Sequence, residues 1–267
     1  MYKMIVLDMD DTLLCNEHKI SERNKKAILR AQENGVYVVL ASGRPTGAMV
    51  EYAKELQMDK FESYIISYNG GEIISCKDNK LIFEQALTME EIHDLYNFSR
   101  EHKVQILTYH NNEIISEDSS EYIDVEANIT KMKHNKVISF KDYMTTGAIK
   151  CIMLEEPSYL KEVEKKLKAI KTDKSVAISK PFFLEVMPQG IDKGQTLDRL
   201  VKQLGIKQEE VMAVGNAHND LSMIEYAGLG VWVANVDKEL IPLGDALVAS
   251  NLDDGVAEAI EKFVLDN

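Results

Sequence analysis

A chain of 267 residues with a formal net charge of −13 repels polyanions, and its 45% apolar and 28% charged residues give the composition of a soluble globular protein. The length exceeds the usual size of one compact core and predicts a large core plus a second module. No apolar run is long enough to span a bilayer and no secretion signal is visible. Cys15, Cys76 and Cys151 are few, odd in number and widely separated, so the expected compartment is the cytoplasm.

The first predicted element is a buried strand at residues 4–7, followed directly by Asp8-Met9-Asp10-Asp11-Thr12. Ser21 can cap a helix running through Ala27, Ile28 and Ala31 toward Gly35, which suits the left-handed position that ends helices. Residues 36–41 are continuously apolar, as a strand covered on both faces must be, and Ser42-Gly43-Arg44-Pro45 turns the chain into another helix. A third strand at residues 64–67 makes the alternation that of a parallel sheet with right-handed crossovers. Asn69-Gly70-Gly71 interrupts it. Residues 72–75 and 81–83, flanking Asp78-Asn79, read as a hairpin attached to the sheet.

The pattern changes near residue 84. Thr88 and Glu91 form a capping box for a helix reaching Glu101, residues 104–107 and 149–154 read as strands, and Leu160, Val163, Leu167 and Ile170 make a helical core stripe. Two short strands at 175–179 and 182–186 complete an α+β cap over residues 84–189, inserted into a core made of residues 1–83 and 190–267. The core pattern then resumes. A helix over 193–204 precedes a strand at 211–214, which leaves through Gly215 to Asp220 into a helix, followed by strands at 231–233 and 247–249 and a helix over 253–265. The expected fold class is α/β: a Rossmann-like doubly wound parallel sheet core with an inserted α+β cap domain.

Three carboxylates in four residues at a strand exit need a counter-charge, which suggests a hard metal ion with a phosphate ligand. Ser42 to Arg44 and Gly215 to Asp220 are polar clusters that also follow apolar strands. In open parallel sheets the crevice at the carboxyl ends of strands is where ligands bind, so exits far apart in sequence can converge there. Helices following the second and third clusters favour an anion at the same place.

Taken with Asp192-Lys193-Gly194, the stretches Asp8-Met9-Asp10-Asp11-Thr12, Ala41-Ser42-Gly43-Arg44-Pro45 and Gly215 to Asp220 resemble, in order, the four motifs of the haloacid dehalogenase superfamily. The resemblance is specifically to the Cof-type (subclass IIB, C2-capped) sugar-phosphate phosphatases and covers essentially the whole chain. It implies a magnesium-dependent phosphatase acting on small phosphorylated metabolites, sugar phosphates among them, through an aspartyl-phosphate, with the cap closing over the site. In that reading Asp8 is the nucleophile and Asp10 the general acid and base. Magnesium is held by Asp8, the main-chain carbonyl of Asp10 and Asn216, with Asp220 either joining the metal's shell or orienting Lys193. Met9, Ser42, Gly43, Lys193 and Asn219 bind the transferring phosphoryl group, and Arg44 is a candidate substrate contact. No nucleic acid, membrane or protein partner is implied.

The residue types suit that chemistry. Carboxylate attack on phosphorus divides a difficult hydrolysis into two easier steps, a second carboxylate does the proton work, and a lysine and a metal offset charge on the phosphoryl oxygens.

Two positions depart from the family pattern: Asn216 stands where a metal-binding Asp is usual, and Asp11 where Gly is common. Asp11 either restores part of the lost charge or faces solvent. Other readings are a phosphomutase of the same superfamily, or a catalytically attenuated phosphate-binding or receiver-type signalling protein; the cap-sized insertion argues against a receiver. Weaker signals have plain explanations. Gly228-Leu229-Gly230 reads as a helix stop, Cys15 sits among anions that suppress thiol reactivity, and the basic residues of 131–136 form a solvated face. The six histidines, His18 among them, are read as surface or turn residues, and Tyr109-His110-Asn111-Asn112 as an exposed loop or a cap loop facing substrate. Asn216→Asp should tighten the apparent magnesium affinity in a metal titration; an unchanged affinity would show that the amide is not limiting.

Overall fold

The strands of this chain fall into two separate sheets. The computed structural model describes residues 1–266. In chain order β1 (Met4–Leu7), α1 (Glu22–Glu33), β2 (Tyr37–Ala41), α2 (Val50–Glu55), β3 (Tyr64–Ser67), β4 (Glu72–Ser75) and β5 (Leu81–Glu84) come first. Next are α3 (Met89–Glu101), β6 (Gln105–His110), β7 (Glu113–Ser116), α4 (Glu121–Thr130), β8 (Lys133–Lys136), α5 (Phe140–Tyr143), β9 (Cys151–Leu154), α6 (Pro157–Ile170), β10 (Lys174–Lys180) and β11 (Phe183–Pro188). The last are α7 (Lys193–Gln203), β12 (Val211–Gly215), α8 (Leu221–Tyr226), β13 (Leu229–Val233), β14 (Ala246–Val248) and α9 (Gly255–Ile260). Contacts divide the chain into two compact units, one of Met1–Phe83 with the stretch from Asp192 onward, the other Glu84–Ile191.

The first unit holds an eight-stranded sheet ordered β14-β13-β12-β1-β2-β3-β4-β5. Every pairing from β14 to β3 is parallel, and β4 returns antiparallel on β3. Side chains alternate between two cores. Ile5, Leu7, Val38, Leu40, Met212 and Val214 pack with Ala27, Ile28 and Ala31 of α1 and Val256 and Ile260 of α9. Met4, Val6, Val39, Ala41, Val211 and Ala213 pack with Leu197, Leu200 and Val201 of α7 and Met223 and Ile224 of α8. Helix cover on both faces is why these strands read as unbroken apolar runs. Ser21 caps α1 by accepting the Asn24 N–H, and Gly35 beyond it takes φ +80°.

The second unit has a six-stranded sheet ordered β10-β11-β9-β6-β7-β8, antiparallel except for β7 with β8. Its core joins Ile106, Cys151, Met153, Leu184 and Val186 to Ile92, Leu95 and Phe98 of α3, Phe140 of α5 and Leu160, Val163 and Leu167 of α6. The Thr88/Glu91 capping box is present. This α/β architecture with an inserted α+β unit is the expected fold class.

Some local expectations are corrected. Ile170, assigned to the α6 core stripe, ends that helix and is 61% exposed, because the stripe stops where the helix does. Tyr109 and His110 belong to β6, not to a loop; Asn111 and Asn112 alone turn the chain, with φ of 50° and 59° as a two-residue hairpin requires. The helix after Pro45 is broken into a tight turn at Thr46–Ala48 and the short α2. The helix placed at 253–265 starts at Gly255, and its last turn, Glu261–Leu265, is widened.

Gly70 decides how α7 seats on the sheet. It has φ +109°, a Cβ built there would lie 2.5 Å from the Asp192 carbonyl oxygen, and its own carbonyl accepts the Thr196 hydroxyl at 2.8 Å. Gly70→Ala should therefore cost about 1–3 kcal/mol in urea denaturation, from the forbidden φ and the collision together.

Candidate active site

Register brings the polar clusters to one end of the first sheet. Leu7 pairs with Val214 on one side and Leu40 on the other, so Asp8, Ser42 and Gly215 leave adjacent strands at the same edge. The Asp8 N–H donates to the Val214 carbonyl at 3.0 Å and the Ser42 N–H to the Ile66 carbonyl at 2.9 Å, extending the ladders into the loops. The sheet changes its direction of winding beside β1, the crevice where ligands of such sheets sit.

At the centre Lys193, the first residue of α7, is fully buried between two carboxylates. Its Nζ lies 2.6 Å from Asp8 Oδ1 and 2.6 Å from Asp220 Oδ1. Asp192 caps the helix by accepting the Gln195 N–H at 2.8 Å, which fixes where Lys193 points. The other Asp220 oxygen accepts the N–H groups of Asn216 and Ala217 at 3.0 and 3.1 Å. Both oxygens of Asp220 thus accept from protein donors, which ties the carboxylate to Lys193 and to the Asn216–Ala217 loop. Burial, reinforced by the Asp220 charge, pushes the Asp8 carboxyl up to about 7 although Lys193 pulls it down. Burial works against the Lys193 ammonium, but the two carboxylates outweigh it and hold it protonated.

Asp10 has different neighbours. Arg44 grips it with two bonds, Nε to Oδ2 at 2.8 Å and Nη2 to Oδ1 at 2.6 Å, and His18 Nδ1 lies 3.7 Å from Oδ1. Burial would raise the Asp10 carboxyl, but these bonds and the nearby positive charges hold it below the usual carboxylate range. Arg44, the candidate substrate contact, pairs with a carboxylate 34 residues away and packs its guanidinium 5.5 Å from the centre of the Tyr52 ring.

The remaining residues frame this pair. The Met9 side chain is buried in the core, so only its backbone can meet a ligand. Ser42 is buried and its hydroxyl accepts the Arg44 N–H at 3.2 Å. A Cβ on Gly43 would lie 3.1 Å from the Asn69 side-chain amide, and Asn69 accepts the Asn219 amide at 3.2 Å, linking the second and fourth clusters. Asn216 joins through its N–H to Asp220. Asp11 is exposed with φ 58°, and Asn235 donates to its carbonyl at 2.7 Å.

His18, Asn69, Asn235 and Asn251 are absent from the motifs. Asn69 had a signal in the Asn-Gly-Gly that follows β3; His18 reaches Asp10 through the turn just after it, and Asn235 and Asn251 meet the Asp11 and Leu14 carbonyls only through long-range folding. Among the described residues no group of three His, Cys, Asp or Glu side chains is placed to hold a metal. The available donors are one carboxylate, Asp8, and neutral oxygens such as the Asp10 carbonyl and the Asn216 amide. That set fits magnesium, which binds through one or two carboxylates and completes its shell with water and phosphate oxygens. Two carboxylates around one ammonium also leave a buried excess of one negative charge for a cation to offset.

Fold and site define a doubly wound α/β protein with a carboxylate-ammonium-carboxylate cluster at its strand ends. Residues 5–260 match the haloacid dehalogenase-like hydrolase family, and the chain belongs to that family. It is 33% identical over 263 residues to 5-amino-6-(5-phospho-D-ribitylamino)uracil phosphatase YcsE of Bacillus subtilis, covering 98% of this chain and 96% of that protein. Among solved structures it is similar to a haloacid dehalogenase-like hydrolase from Bacteroides thetaiotaomicron, with TM-score 0.95, 40% identity and coverage of 98% and 99% of the two chains. It is also similar to TM0651 from Thermotoga maritima, with TM-score 0.91, 28% identity and 98% coverage of each chain.

The cluster's stability should be asymmetric. Lys193→Met leaves two buried carboxylates without their cation and should cost about 3–5 kcal/mol. Asp8→Asn removes the excess charge and should change stability by no more than about 1 kcal/mol in the same denaturation assay.

Proposed function

We propose that this haloacid dehalogenase-type phosphatase hydrolyses small phosphorylated metabolites, sugar and polyol phosphates in particular, through an aspartyl-phosphate on Asp8 with magnesium as cofactor. The observation that carries the reading is Lys193 held between Asp8 and Asp220. It places a fixed cation against the attacking carboxylate while leaving negative charge for a metal to balance. The phosphatase YcsE supports the substrate class, since the substrate in its name carries phosphate on a ribityl chain.

Asp8 attacks phosphorus as the bond to the leaving alcohol breaks, and Asp10 gives that oxygen a proton. Water then attacks the aspartyl-phosphate, Asp10 takes its proton, and phosphate leaves with Asp8 regenerated. Lys193, the Ser42 hydroxyl, the Gly43 and Met9 N–H groups and Asn219 orient the phosphoryl oxygens and offset their charge. Asp8, the Asp10 carbonyl and the Asn216 amide would hold magnesium, which when bound supplies further positive charge to the transferring group. Asp10 enters each turnover carrying the proton it took from water in the last, and Arg44 favours the ionised form left by the first step, the state in which it accepts a proton from water.

The test is hydrolysis of p-nitrophenyl phosphate and of a panel of sugar and polyol phosphates, with magnesium or with chelator. Turnover should require the metal and vanish in Asp8→Asn; a folded protein inactive in excess magnesium would overturn the reading. Asp10→Asn should lower kcat/KM on an alkyl phosphate by about 10²–10⁴-fold and much less on p-nitrophenyl phosphate, whose leaving group needs no proton, while loss of the base for the second step lowers kcat on both. The raised Asp8 carboxyl is protonated below about 7 and ionised above it. On p-nitrophenyl phosphate, whose leaving group needs no general acid, kcat/KM at limiting magnesium should therefore rise with pH through about 7, and saturating magnesium, which favours the carboxylate, should move that rise to lower pH.

A further inference from the structure

The turn that carries Asp8 and Asp10 contains a non-glycine residue in the left-handed region, and side chains from two other loops hold it there. The turn runs Met9–Leu13 and closes with the Leu14 N–H on the Met9 carbonyl at 2.9 Å. Within it Asp10 is extended, at φ −69° and ψ 126°, and Asp11 is left-handed, at φ 58° and ψ 14°. The peptide unit between them carries the Asp10 carbonyl, so its direction is set by Asp10 ψ and Asp11 φ. Relaxing Asp11 to the ordinary negative φ would rotate that plane by roughly 120° and re-aim the carbonyl. Glycine would hold the left-handed angle without steric cost, whereas aspartate does not.

A chain of three hydrogen bonds opposes the relaxation. Asn235, just beyond β13, donates from Nδ2 to the Asp11 carbonyl at 2.7 Å. Its Oδ1 accepts the Asn251 N–H at 3.1 Å, and Asn251, just beyond β14, donates from Nδ2 to the Leu14 carbonyl at 2.9 Å. Both ends of the stretch from Asp11 to Leu14 are thus tied to neighbouring strand exits. Asn251 is buried and so gives Asn235 a fixed partner.

We propose that Asn235 and Asn251 are positioning residues for the metal: they hold Asp11 left-handed and thereby aim the Asp10 carbonyl. The inference rests on the magnesium reading of the preceding subsection. It makes Asp11 a conformational element of the site, dependent on its brace, and not a second source of charge for the ion.

The experiment measures magnesium binding by calorimetry, with no substrate present, in the unsubstituted protein, Asn235→Ala, Asp11→Gly and the double variant. Circular dichroism melts establish that each is folded at the titration temperature. Asn235→Ala should raise the magnesium Kd on the order of tenfold, as loss of a partner that orients a metal ligand does. In the Asp11→Gly background the same change should raise Kd about threefold or less, because glycine keeps the left-handed angle unaided. A lower melting temperature with Kd unchanged in Asn235→Ala would overturn the proposal and leave the asparagine a structural brace only. An equal loss of affinity in both backgrounds would also overturn it. Absence of magnesium binding by the unsubstituted protein would instead strike the magnesium reading itself, and this proposal with it.

Discussion

Lys193 between Asp8 and Asp220 is the interaction on which the rest of the site depends. A lysine with no exposed side chain is held as an ammonium by the carboxylates that face it, and two carboxylates tolerate burial together only because the lysine is there. The two acids are not equivalent. Asp220 spends its second oxygen on the N–H groups of Asn216 and Ala217, which makes it a fixed support. Asp8 has no such pair of backbone donors, and its carboxyl is pushed upward. The proposed attack by Asp8 accords with that difference.

The sheet makes that contact possible. β1 and β12 bring Asp8 and Asp220 from opposite ends of the sequence to one edge, and α7 delivers the cation between them from its first turn. The seat of that turn is tight: Gly70 presses against the Asp192 carbonyl, and the Gly194 N–H donates to Ser222 at 3.0 Å. Asp10, two residues from Asp8, sits in the opposite electrostatic setting, clamped by Arg44. Two acids from one short turn thus acquire different properties from their neighbours alone, as the two roles proposed for them require.

Much of the fold was legible because its signals are local. Unbroken apolar strands declare helices on both faces, Ser21 and Thr88 announce helix starts, and polar residues at several strand ends point to a common crevice. What escaped was set by distant partners. Arg44 reads as a candidate substrate contact, with no sign that the fold lays it across Asp10, and His18 as a surface or turn residue until its turn approaches the same carboxylate. Asn235 and Asn251 carry no spacing that would tie them to residues near position 11. The smaller misses have equally physical causes: a stripe of apolar residues does not say where its helix stops, and two asparagines can make an entire hairpin turn. The candidate site was legible as a set of residue types at strand exits, while its bonding pattern was not.

Asp8 as the attacking group is the claim on which the functional account turns. The direct measurement is rapid acid quench of the enzyme during turnover of a phosphorylated substrate with magnesium, followed by mass spectrometry of its peptides. The expected result is one phosphoryl group on the peptide containing Asp8, absent from Asp8→Asn. Steady turnover with no covalent phosphoryl group on the protein, or with the group on another residue, would contradict it.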